Sequence, residues 1–201
     1  VLVTLASFLV SLLLIEIGER PDIGTFEGVI GGSLIGLGQS LVLWRRISQA
    51  WWWIFANIIS WGLIGSSSLG AIGWVAPRTD QINLRLIYGI VDGLQIGVVL
   101  GIAQWLVFKK QISKAWRWIL ASSWCWSISL ACGWFVGGVL RQLTRLFLGE
   151  VFGLTVTWLM VSMTTGAALI SLLQYSKAPY WINRGRISSP DRAKKPTPNQ
   201  R

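Results

Sequence analysis

The 201-residue chain has no histidine, and charged side chains make up only 13% of it. Without His the commonest general base and metal ligand is missing, so histidine-ligated haem, histidine zinc sites and Ser-His-Asp catalysis are excluded within this chain. The scarcity of charge excludes an ordinary soluble surface, since globular domains are about 25% charged. Acids are scarcest, 8 Asp and Glu against 18 Lys and Arg. The two cysteines, Cys125 and Cys132, lie seven residues apart in one apolar stretch. A straight helix cannot bridge that spacing, so they read as small buried apolar residues. What the chain does have is 53% hydrophobic residues, 22 Gly and 14 Trp, a surplus that points to lipid as the solvent.

Gaps in hydrophobicity and clusters of charge divide the chain into six apolar segments, about 1–17, 23–44, 50–75, 86–108, 115–140 and 146–174. The expected fold is therefore all-α, a polytopic transmembrane bundle of about six helices over 1–182. The first segment has no basic n-region and no A-x-A site before Glu16, so it reads as a retained helix rather than a signal peptide. With six spans, 13 of the 18 basic residues fall on one side: Arg45 and Arg46, then Lys109, Lys110, Lys114 and Arg117, then seven after the sixth span. The positive-inside rule places that side, and the C-terminus, in the cytoplasm. This is the pattern of a bacterial inner membrane or another internal membrane. Residues 183–201 are polar, basic and interrupted by Pro190, Pro196 and Pro198, the composition of a disordered tail.

Sliding the chain against itself by 65 residues aligns 20–62 with 85–127 at 16 identities in 43 positions. Shared apolar composition does not explain matched Arg20/Arg85, Gln39/Gln104, Trp51/Trp116, Trp53/Trp118 and Trp61/Trp126. Glu27 meets Asp92. Each unit reads as a helical hairpin with a basic turn, about 20–75 and 85–140, so that two copies run in parallel orientation. A partial third unit, 145–174, begins with Arg145, Gly149 and Gly153 in the places of Arg85, Gly89 and Gly93. Its missing second helix has the direction of segment 1–17, which predicts approximate threefold pseudosymmetry with the sixth helix beside the first.

Within each unit the glycines recur every fourth residue: Gly28, Gly32 and Gly36, then Gly93, Gly97 and Gly101. They lie on one helix face and let another helix approach closely; oligomerisation, or a flat face against a lipid tail or pigment, is the functional alternative. Glu27 and Asp92 each follow an arginine by seven residues, about 10 Å along a helix. Arg20 and Arg85 are expected to reach back to them in an ion-paired rim that Glu16 and Glu150 join. A polar entrance for an ion, proton or substrate is the alternative. Gln39 and Gln104 call for an interhelical hydrogen bond or a bound ligand. Trp44, Trp51, Trp52, Trp53, Trp105, Trp116, Trp118 and Trp181 flank the basic turns as an interfacial girdle, with anionic lipid as the expected partner. Nucleic acid is not, because these basic aromatic stretches lie between spans.

The run G-x-x-x-G-x-x-Q-W-L-V-F-K-K with Ala115, Trp116, Trp118 and Ile119 resembles a repeated pattern in uncharacterised multi-pass bacterial membrane proteins. It covers about 20–62 and 85–127, with Ser40 in place of Trp in the first copy. The resemblance implies the helical membrane fold and carries over no activity and no site residues. The residues lead to a non-enzymatic assembly, scaffold or lipid-organising membrane protein without a cofactor, with a membrane protein or a second copy as a possible partner. The alternative is a small transporter or channel using the intramembrane acids.

Overall fold

A computed structural model of the chain describes residues 1–19, 23–77, 79–112 and 114–176, without side-chain placement at 19, 175 and 176. Arg20, Arg78, Trp181 and the basic tail 183–201 lie outside the described residues. The rest forms six helices: α1 (Leu2–Ser11), α2 (Thr25–Leu43), α3 (Trp52–Ser66), α4 (Ile82–Phe108), α5 (Arg117–Thr144) and α6 (Leu148–Ser176). Each helix packs on the next in chain order and α6 returns to α1, so the six close a ring. Large apolar side chains such as Phe26, Leu41 and Leu143 remain exposed on the outside, which suits a hydrocarbon solvent.

Four helices, α2, α4, α5 and α6, are long and apolar enough to cross a membrane, the mark of an integral membrane protein. α1 and α3 are shorter than the spans expected there, although α3 runs antiparallel along α2 from the Gly36–Ile54 contact to the Gly24–Gly65 contact. With 10 and 15 residues, α1 and α3 rise about 15 and 22 Å at 1.5 Å per residue, short of a hydrocarbon core of about 30 Å.

The physical reason at α3 is local. Ser66 and Ser67 turn their hydroxyls onto the carbonyls of Leu63 and Ile64, at 2.9 and 2.6 Å, which competes with continuing the helix. Gly70, with φ 64°, then reverses the chain in the left-handed conformation that glycine adopts without a Cβ clash. The following 3-10 turn, Ile72–Trp74, is completely buried. Segment 50–75 is therefore a short helix followed by an inserted plug.

Irregular backbone inside such a bundle is tolerated only where protein satisfies its polar groups, and here protein does. Ala71 N–H donates to the Ile23 carbonyl at 3.0 Å, and the Trp158 indole donates to the Gly73 carbonyl at 2.9 Å. Strands β1 (Gly18–Glu19) and β2 (Val75–Ala76) pair in parallel. The Trp74 indole donates to Ser11 Oγ at 2.8 Å, tying the plug to the end of α1. Around it Trp61, Trp74, Trp126 and Trp158 form a continuous cluster with ring centroids 5.1–5.8 Å apart, and Phe8 stacks on Trp158. The plug thus sits within a cluster of tryptophans inside an otherwise largely aliphatic core.

Candidate functional site

The glycine faces determine how closely the helices approach. A Cβ on Gly28 would strike the Trp61 carbonyl oxygen, and one on Gly32 would lie 2.8 Å from the Asn57 oxygen. On Gly36 it would lie 3.0 Å from Ile54 Cα. In the second seam a Cβ on Gly93 would lie 2.6 Å from the Trp126 oxygen, one on Gly97 2.6 Å from the Ser122 oxygen and one on Gly101 2.9 Å from Ile119 Cα. In all three pairs the opposing positions differ by the same 65 residues as the glycines. A second set of glycines carries the α5–α6 contact: Gly133 and Gly153 face each other, and Gly149 faces the Arg141 backbone.

Gln39 and Gln104 occupy equivalent places beside these seams. The Trp53 indole donates to Gln39 Oε1 at 2.7 Å, and the Trp118 indole to Gln104 Oε1 at 2.9 Å. Gln39 Nε2 also reaches Thr4 Oγ1 on α1 at 3.5 Å. Trp53 and Trp118 are each only 2% exposed, which removes them from the expected girdle: a buried indole N–H needs an acceptor, and the glutamines supply it. Trp44, Trp51, Trp52 and Trp116 are exposed, as a girdle requires, and Trp105 is partly buried with the Lys109 ammonium 5.0 Å above its ring.

Of the expected rim, Glu150 is ion-paired with arginine, while Glu27 caps a helix instead. Glu27 sits in the first turn of α2, where its Oε2 accepts the Gly24 N–H at 2.8 Å and caps the helix. Asp92 is 9% exposed and borders a groove with Tyr88 and Trp134. Arg85 does not reach back to it. The Arg85 guanidinium is fully buried and forks onto Glu150, with bonds of 2.9 and 2.7 Å. Its remaining donors reach the carbonyls of Thr79, Pro77 and Trp134. Arg141 adds a 3.3 Å contact to the same carboxylate. A paired, fully hydrogen-bonded guanidinium tolerates burial where a lone one would not, and bare glycines make the room: a Cβ at Gly138 would stand 2.7 Å from Arg85 Cδ. Glu16 is exposed. The lock was missed because its partners are 65 residues apart. The available signal was that an arginine within an apolar helix demands a counter-charge, and α6 carries a single acid.

At the other end of the bundle the two basic turns are joined. Gln111 Oε1 accepts the Ser48 N–H at 2.9 Å, and its Nε2 donates to the Ser48 carbonyl at 3.1 Å. Gln49 and Lys114, at matching positions, both take positive φ, 58° and 56°. Arg45, Arg46, Lys109, Lys110, Lys114 and Arg117 are all exposed around this clamp. Among the described residues no cluster of His, Cys, Asp or Glu could hold a metal ion, and the two cysteines are free. No family model, curated protein or solved structure matches the chain.

Proposed function

We propose that the chain is a non-enzymatic membrane protein that organises anionic lipid around a scaffold of tandem helical hairpins. In this reading α2–α3 and α4–α5 are two parallel copies of one unit, and α6 with α1 makes a third, in approximate threefold arrangement. The basic turns face the cytoplasm of a bacterial membrane. The observation that carries the function is the clamp between Ser48 and Gln111. It joins two cationic turns into one surface, with Trp44, Trp51, Trp52 and Trp116 exposed beside them at the level where indoles favour headgroups. Transport through intramembrane acids has less support, since Glu150 is held by Arg85 and Arg141 and Glu27 caps its own helix. A scaffold that also gathers other membrane proteins, or further copies of itself, is compatible with the apolar exterior.

Native mass spectrometry of the protein from mixed phosphatidylcholine and phosphatidylglycerol nanodiscs tests this. The expected result is preferential retention of phosphatidylglycerol, weakened by salt and reduced in the variant R46Q/K110Q. Each basic residue near an anionic surface contributes about 1 kcal/mol, roughly fivefold in affinity. Equal retention of the two lipids would overturn the reading.

A further inference from the structure

Between the plug and the basic turns the ring is not filled. Next to the two Gln–Trp pairs lies a cavity of ≈ 130 Å³ to which all six helices contribute. No Asp, Glu, Lys or Arg side chain among the described residues lines it. Five indoles line it, and among its polar side chains Gln104, Asn57 and Ser122 retain bonding capacity. Gln104 is 6% exposed; its Oε1 is taken by Trp118, while its Nε2 meets no acceptor among the described residues. Asn57, 1% exposed, donates through Nδ2 to the Trp53 carbonyl and leaves Oδ1 open. Ser122, also 1% exposed and at the position equivalent to Asn57, has no hydroxyl partner among the described residues. The unpartnered atoms of Ser60, Ser129 and Trp134 are instead sealed within protein.

Gln104, Asn57 and Ser122 face the cavity rather than being sealed, so an occupant that bonds to them is favoured over one that cannot. The volume holds about four waters at about 30 Å³ each, which a single occupant bonding to the same groups would replace. Cavities of about 150 Å³ accept a benzene-sized molecule. No acidic or basic side chain among the described residues stands by to pair with a charged occupant.

We propose that this cavity binds a small neutral ring compound carrying both a hydrogen-bond donor and an acceptor. Its body lies against the indoles, its acceptor takes the Gln104 Nε2–H, and its donor meets Ser122 Oγ. This site is independent of the lipid surface at the basic turns.

Fluorine NMR of the full chain in detergent, with para-fluorophenol as probe, tests the proposal. A distinct bound resonance that excess unlabelled phenol displaces is expected, with none for para-fluorobenzoate and weaker binding of fluorobenzene. Ser122→Ala keeps the space and removes one partner, so affinity for the phenol should fall roughly five- to tenfold while that for fluorobenzene stays unchanged. Val161→Phe, which fills the cavity from α6, should abolish the signal at an unchanged melting temperature; if that variant does not fold, the Ser122→Ala comparison decides. Absence of a bound resonance, or equal phenol binding by wild type and Ser122→Ala, would overturn the proposal.

Discussion

The helix pairs α2–α3 and α4–α5 agree closely at one end and part company at the other. Near the basic turns, both have the glycine seam, the indole-to-glutamine bond and a positive-φ residue before the second helix. At the far end α3 stops at Ser66 and the chain turns inward as the Trp74 plug. Its counterpart α5 continues to Thr144 and carries the glycines that accommodate the Arg85–Glu150 pair. The difference is taught by chemistry at a few positions. Serines and Gly70 end one helix, and the space so released is filled by aromatic packing. In the other a continuous helix leaves room for a buried charge, which then requires a partner from α6.

Substitutions that strike one pair and spare its counterpart should break this comparison in order of size. Arg85→Leu leaves Glu150 buried with only the partial contact to Arg141, so about 3–5 kcal/mol of stability should be lost; the double variant R85L/E150L should recover part of it. Glu27→Gln, which touches only a helix cap, should cost about 1 kcal/mol or less. Unfolding in mixed micelles measures both. Next come the seams: Gly97→Val should cost about 1–3 kcal/mol through overpacking and exceed Gly36→Val, because backbone stands closer to Gly97.

Gln104→Leu strands the buried Trp118 indole at about 1–3 kcal/mol. Gln39→Leu should cost less, since Gln39 is only half-buried and water can reach the indole it abandons. The smallest effect is expected for Gln111→Ala, at about 1 kcal/mol or less for its exposed bonds, with phosphatidylglycerol retention reduced in the lipid assay.

These distinctions were unevenly legible in the sequence. Glycines spaced by four mark a helix face whatever that face meets, and glutamine in an apolar run announces a need for a partner. Both signals are local. The inward turn of Trp53 and Trp118 was hidden because an indole beside a basic turn suits the headgroup region equally well. The plug was hidden because Ile72–Val75 is as apolar as a span, and hydropathy averaging does not register hydroxyls returning to the backbone at Ser66 and Ser67. Arg85 was paired with Asp92 by proximity along one helix, whereas the ring brings Glu150 to it from α6.

The proposed role depends on both basic turns lying on the same cytoplasmic side. Single cysteines at Ser48, Lys110 and Asp80, introduced after Cys125 and Cys132 are replaced by Ala, can be labelled with a membrane-impermeant maleimide in intact and in opened cells. Ser48 contributes only backbone to the clamp, and Asp80 is exposed at the other end. The account predicts that positions 48 and 110 react only after the cells are opened, while position 80 reacts from outside. Labelling of 48 and 110 from opposite sides, or of both from outside, would contradict it.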